Sequence, residues 1–227
     1  MKQTIMATYR GALEILKKKP VLLWGLTLLT QFLSVLASIF GIVPIVYLPI
    51  VLALEASLCI LYLKGFRGQE VSSADIFTGF KKFMHVAGGM AWMYLWILIW
   101  ALIPVVGIVF AVIKAYEYSF TPYILITMPE IGATDAIKKS KEMTNGLKAK
   151  MFWSEILVSV AIFIVNFVLG LFAAIPFIGI LFGIILFIFD VLAALLCAIF
   201  LGLIRAGFYD GAEKALKPEE APVAEAE

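Results

Sequence analysis

The chain has 227 residues, 63% of them hydrophobic, with a mean hydropathy of +1.03 and a formal net charge of only +2. A soluble domain is nearer one half apolar, so a water-soluble enzyme or binding module with a single core is excluded. The apolar runs are far too long and too little alternating for the ~10-residue strands of a membrane barrel, which leaves an all-α polytopic membrane bundle, since a helix satisfies its own backbone in lipid.

Six runs meet or approach the ~20 apolar residues needed to cross a hydrocarbon core: Pro20–Phe40, Pro44–Leu63, Val86–Ile103, Val105–Ile126, Phe152–Ile175 and Phe177–Arg205. They predict six transmembrane helices arranged as three hairpins. The hairpin turns, Gly41–Pro44, Pro104–Gly107 and Pro176–Gly179, hold no Lys, Arg, Asp or Glu. The opposite side holds the basic residues: Lys2, Arg10 and Lys17–Lys19, then Lys64, Arg67, Lys81 and Lys82, then Lys138, Lys139, Lys141, Lys148 and Lys150, then Lys214 and Lys217. Short basic loops stay cytoplasmic, so both termini are expected inside, as an even number of spans requires. The first run has a long basic stretch before it and no clear cleavage site, so it reads as a retained span rather than a signal peptide.

Each hairpin is preceded by a segment with helical periodicity. In the first, Ile5, Tyr9, Leu13 and Leu16 face away from Arg10, Glu14 and Lys17. In the second, Ile76, Phe77, Phe80, Phe83 and Met84 oppose Asp75, Lys81 and Lys82, and Ser72 with Asp75 has the spacing of an N-terminal cap. In the third, Ile137 and Met143 oppose Lys138, Lys141 and Glu142, and Asn145-Gly146 reads as a helix stop. These are expected to be interfacial amphipathic helices, with Lys81, Lys82, Lys138, Lys139 and Lys141 over anionic headgroups at about 1 kcal/mol per charge.

The succession implies one integral membrane domain over 1–211, with a possible three-fold repeat over 1–64, 65–127 and 128–208. The turn Ala101-Leu-Ile-Pro-Val-Val-Gly-Ile-Val-Phe110 is similar to Ala173-Ala-Ile-Pro-Phe-Ile-Gly-Ile-Leu-Phe182. Residues 212–227 read as a disordered acidic cytoplasmic tail. Cys59 and Cys197 fall within spans and are expected to be inert thiols.

Intramembrane charges are the strongest functional pointers, because each costs a few kcal/mol at mid-bilayer unless it finds a partner. Counted from the outer turns at ~1.5 Å per residue, Glu55, Lys114, Glu117 and Asp190 all lie roughly 14–20 Å deep. Lys114 and Glu117 can pair on one helix face. Glu55 and Asp190 are left for a proton or a bound cation to neutralise, the proton being the cheaper. Two readings stand: a proton- or cation-linked midplane site, or one structural ion pair with two protonated carboxyls. Glu155 and Arg205, nearer the cytoplasmic ends of their helices, either pair or snorkel to the interface.

Polar stripes (Thr27, Gln31, Ser34, Ser38; Glu155, Ser159, Asn166, Gly170) suit interhelical hydrogen bonds. The small-residue series Asp190, Ala194, Ala198, Gly202, Ala206 suits close helix approach. Trp92, Trp96 and Trp100 share one face of the third span, for packing. His85 is the only histidine and a poor metal candidate, expected instead to be hydrogen-bonded near the interface. Catalytic constellations, phosphate loops and paired CxxC motifs are absent from the sequence, so no catalytic residue, no metal, no cofactor and no nucleic-acid partner is expected.

One stretch carries a family resemblance. It runs Ile103-Pro-Val-Val-Gly-Ile, Lys114-Ala-Tyr-Glu-Tyr-Ser-Phe-Thr-Pro-Tyr-Ile-Leu and Pro129-Glu-Ile-Gly-Ala, then Ala136-Ile-Lys-Lys-Ser-Lys-Glu-Met143, Gly146, Lys148 and Phe152. It resembles the bacterial membrane-protein family catalogued as domain of unknown function nine-seven-five, as does Gly207-Phe-Tyr-Asp. Ser154-Glu-Ile-Leu-Val-Ser departs from the family's usual Leu-Ser-Phe-Ile-Gly-Trp run. The resemblance implies a multi-span bacterial inner-membrane protein and assigns no activity or catalytic residue. The favoured functional expectation is a non-enzymatic scaffold or partner module at the lipid interface, with anionic lipids and another membrane protein or a homo-oligomer as partners. The alternative is a small proton- or cation-linked transporter or channel centred on Glu55, Lys114, Glu117 and Asp190.

Overall fold

A computed structural model describes residues 5–18, 20–39, 44–175 and 178–216, and among them the regular elements are all helices, without strands. The helices are α1 (Ile5–Lys18), α2 (Pro20–Ile39), α3 (Pro44–Phe66), a 3-10 helix (Ser73–Phe80), α4 (Phe83–Ala101), α5 (Gly107–Glu117), α6 (Thr121–Thr127), α7 (Ala133–Met143), α8 (Lys148–Ala173) and α9 (Gly179–Leu216). Four of them are long and apolar enough to cross a membrane: α3, α4, α8 and α9. A fifth crossing is available if α1 and α2, bent by 93° at their junction, count as one.

Helix α3 is the centre. It is apolar around its whole circumference, as a helix surrounded by protein must be, and 56% of its span is buried. It packs against α2, α4, α6, α9 and the 3-10 helix. Small residues set the closest approaches. A Cβ on Gly202 of α9 would run into the Tyr62 ring of α3. The Gly79 N–H donates to Ser57 Oγ at 2.8 Å, and a Cβ there would run into the Ala53 carbonyl. Helices α8 and α9 pack on each other as a hairpin, with Phe172 stacked on Phe182 at 4.9 Å. Yet in the most apolar 18-residue stretch of each, 0% of α8 and 6% of α9 are buried. A face that apolar is stable only against lipid or another apolar surface.

Four sequence expectations are corrected. The run Val105–Ile126 is not one helix: α5 ends at Glu117 and α6 starts at Thr121. Pro122 has no N–H, and its ring would clash with the Tyr118 carbonyl in a continuous helix. The freed groups are taken up by α7: Ser140 Oγ donates to Glu117 O (2.8 Å) and accepts from Phe120 N–H (3.1 Å), while Thr144 Oγ1 donates to Glu117 O (3.2 Å).

The second preceding segment is a 3-10 helix, so its stripe is not the α-helical one. Ile76 is buried, whereas Phe77 and Met84 are 51% and 81% exposed. The 3-10 geometry follows from Gly79 being drawn onto α3. Leu13 likewise points outward on α1, where Thr8 and Ala12 are buried instead. On α7, Ile137 and Met143 are buried, and Gly146 beyond it adopts φ +76°. Finally, α9 continues to Leu216, so residues 212–216 are helical rather than tail; the remainder of the tail, the turn residues 41–43 and 176–177, and the Ser38 side chain lie outside the described residues.

Asp75 anchors the 3-10 helix. Its carboxylate accepts from Lys64 Nζ (2.6 Å) and from the Ser72 N–H (2.9 Å). Burial pushes this carboxyl up, but the Lys64 and Ser72 bonds outweigh it and hold it below the ordinary aspartate value of 3.8. The folded form therefore holds its proton less tightly than the unfolded chain. The contact stabilises the fold above the ordinary range and is lost as pH falls through the folded value.

Two predictions follow from this packing. Acidification from about pH 6 to about pH 3 should reduce amide-exchange protection of Ser73–Phe80, relative to intrinsic rates, and Asp75→Asn should abolish that dependence. Gly202→Ala should destabilise the α3–α9 contact by about 1–3 kcal/mol, read by denaturation in detergent, whereas Gly183→Ala, with open space around it, should not.

Candidate functional site

The predicted charges fall into three separate places. The first is Glu117, at the end of α5. Its carboxylate accepts from Lys114 Nζ and Lys148 Nζ, both at 2.6 Å. Lys148 is the first residue of α8, so Glu117 joins the end of α5 to the start of α8. Lys114 also lies over the Trp100 ring, 5.1 Å from its centroid.

The second place is a half-open cleft of about 300 Å³ walled by α3, α4, α5, α6 and α9. Glu55 and Arg205 both line it, with Tyr94, Tyr116 and Tyr123. Tyr94 donates its hydroxyl to Glu55 at 2.6 Å. Arg205 grips Glu155 of α8 through Nε (2.6 Å) and Nη2 (2.9 Å), and Tyr116 donates to the same carboxylate at 2.9 Å. Glu155 is thus saturated by a two-pronged guanidinium and a phenol. Glu55 has a phenol only; among the described residues no cation lies within salt-bridge distance of it.

The third place is Asp190, which is exposed on α9 and makes no hydrogen bond or ion pair with any described residue. The structure therefore brings Glu55 beside Arg205, and Lys114 beside Glu117, but leaves Asp190 apart from both.

The remaining candidates are placed as follows. Lys82 meets Glu130 (2.6 Å) and Lys138 meets Asp135 (3.1 Å), both at the surface, where such pairs contribute little. Lys139 Nζ lies 3.2 Å from Met128 Sδ. Lys81 is exposed, and Lys141 borders a surface groove with Lys138 and Lys148. His85 Nε2 is buried without a partner, against expectation. Both cysteines are free. The stripes' hydroxyls and amide bond mainly to their own helices, Ser34 to Thr30 O, Ser159 to Glu155 O and Asn166 to Ile162 O, whereas Thr27···Tyr62 (3.3 Å) and the Glu155 bonds to Arg205 and Tyr116 join helices. No group of three or more metal-ligating side chains occurs among the described residues.

Two features escape sequence reasoning. The tyrosines of the cleft read as ordinary apolar residues of spans. The cluster of Arg67 on Asp210 (2.6 Å) and Glu213, with Lys214 on Asp210 (2.6 Å), joins the end of α3 to the end of α9 across more than 140 positions of sequence. These two Arg67 bonds outweigh burial and raise its already high pKa.

The Arg205–Glu155 pair yields a prediction. Hydrogen bonds to charged groups contribute about 1.5–3 kcal/mol. Arg205→Met or Glu155→Leu alone should cost about that much in detergent denaturation, and the double variant should cost less than the sum.

Comparison of the chain with protein-family models, with curated proteins and with solved structures gave no match.

Proposed function

We propose that the chain is a multi-pass protein of the bacterial inner membrane, with both termini cytoplasmic, that binds a small cation or proton-exchanging solute and carries it without chemical transformation. The orientation rests on the basic segments lying on one side of the apolar runs. The three hairpins would be α2–α3, α4 with the broken α5–α6 pair, and α8–α9. Lys81, Lys82, Lys138, Lys139 and Lys141 would meet anionic headgroups.

One observation carries the functional reading. Glu55 is a half-buried carboxyl on the wall of a cleft, held by a single phenol, while the other charged pair at that cleft is already neutral within itself. An intramembrane carboxylate without a counter-ion is costly. A proton or a cation therefore has to occupy this place, and exchange of one for the other couples occupancy to the proton gradient.

The sequence alone favours a scaffold, and one observation keeps that second reading. The most apolar stretches of the α8–α9 hairpin show almost all their surface outward, and Asp190 is exposed on α9 and unpartnered among the described residues. Another membrane protein or a second copy would cover that face.

Reconstituted vesicles separate the readings. Wild-type protein should let a potential drive protons or monovalent cations across, followed with a trapped pH dye or ion-selective electrodes, and Glu55→Gln should lower the flux by about tenfold. Unchanged flux in Glu55→Gln, or wild-type vesicles as tight as empty ones, overturns the transport reading. Asp190→Asn should leave flux intact while reducing any co-purifying partner.

A further inference from the structure

The chemistry of the cleft wall narrows the class of ligand, on the premise that the cleft is the working site. Its lining charges are Glu55 and Arg205, and Arg205 is already paired with Glu155 of α8, so the three together carry −1, +1 and −1 and leave −1. Three tyrosine rings, from α4, α5 and α6, share the wall with that surplus carboxyl. The rest of the lining includes Met93, Ile97 and Val112, which offer no donor or acceptor for a hydrated ion.

A hard metal cation takes six or more oxygens, and this wall supplies one unpaired carboxylate, three phenols and the Ser119 hydroxyl, which already donates to Tyr116 O. A strongly hydrated ion would lose its shell against apolar side chains. A weakly hydrated organic cation loses little, gains the carboxylate's attraction and lies against aromatic faces, an interaction that reaches about 2 kcal/mol when desolvated. The chain already uses that interaction internally, with Lys114 over Trp100.

The rings are also held in place. Tyr123 is stacked on Tyr209 at 4.6 Å and 14°. Tyr116 is edge-on to Phe152 at 5.9 Å and donates to Glu155 at 2.9 Å. Tyr94 is tied to Glu55 at 2.6 Å. Binding therefore costs little side-chain ordering. A volume of about 300 Å³ is at the lower end of small-molecule sites.

We infer that the Glu55 cleft is a binding site for a lipophilic organic monocation of the aryl quaternary ammonium type, held by Glu55 and against the rings of Tyr94 and Tyr116.

The test uses the purified full chain in detergent, with benzyltrimethylammonium as the probe and neopentylbenzene as its neutral isostere, in equilibrium dialysis. Saturable binding of the cation, about tenfold tighter than the isostere, is expected. Glu55→Gln should weaken it by about tenfold, and Tyr94→Leu should weaken it more than Tyr94→Phe, which keeps the ring. Gel-filtration profiles establish that each variant is folded, and the Tyr94 pair carries the test if Glu55→Gln is not. Equal binding of the isostere, unchanged binding in Glu55→Gln, equal effects of Tyr94→Leu and Tyr94→Phe, or no saturable binding by wild type each overturns the inference. Any of these results combined with Glu55-dependent proton flux in vesicles would refute the ligand class while sparing the transport reading.

Discussion

Glu117 is the residue on which the arrangement of three helices depends. Its carbonyl, at the end of α5, would be unpaired at the helix break, and Ser140 and Thr144 of α7 both donate to it. Its carboxylate takes Lys114 from its own helix and Lys148 from the start of α8. One residue thus ties α5, α7 and α8 through both its backbone and its side chain. In a medium that offers no hydrogen bonds, an interrupted helix is tolerated only where neighbouring protein re-satisfies the freed groups. Ser140 does so on both sides of the break, by donating to Glu117 and accepting from Phe120.

The cleft depends on that knot. Tyr116 stands one residue before Glu117, and Tyr123 lies beyond the break on α6, whose residues Thr121–Leu125 are all buried. The break lets α6 enter the interior as a separate short helix, where Tyr123 can stack on Tyr209 of α9. On the opposite wall, α3 brings Glu55 and α9 brings Arg205, and the closeness of those two helices rests on Gly202 against Tyr62. The site is therefore a product of two backbone features, a helix break and a glycine contact, rather than of a sequence motif.

That explains what was legible beforehand. Helical class was, because composition acts locally, and so was the stop after α7 at Asn145-Gly146. The local tie between Ser72 and Asp75 was also readable from spacing. The α5–α6 break was not, although Pro122 marks it, because an apolar count treats proline as one more residue of the run. The 3-10 helix was missed because its geometry comes from Gly79 meeting α3, a tertiary contact. Depth counting sets Arg205 apart from Glu55, although both line one cleft, since it takes each helix as a straight rod of equal span. Helix α9 has 38 residues and is about 57 Å long at ~1.5 Å per residue, so distance from one turn says little about which neighbours its middle meets.

The contrast between Glu155 and Glu55 is the last physical step. Both are carboxyls near Arg205, on different helices. The guanidinium is planar and forms its two parallel bonds with one partner at a time, and it has chosen Glu155. Tyr116 strengthens that choice by donating to the same carboxylate. Glu55 is consequently left with the weaker donor, Tyr94. A second fixed cation would have closed this place as a structural ion pair, as Lys148 does for Glu117. The absence of one among the described residues near Glu55 makes its charge state depend on what enters the cleft, which is the property a carrier requires and a purely structural charge cluster does not.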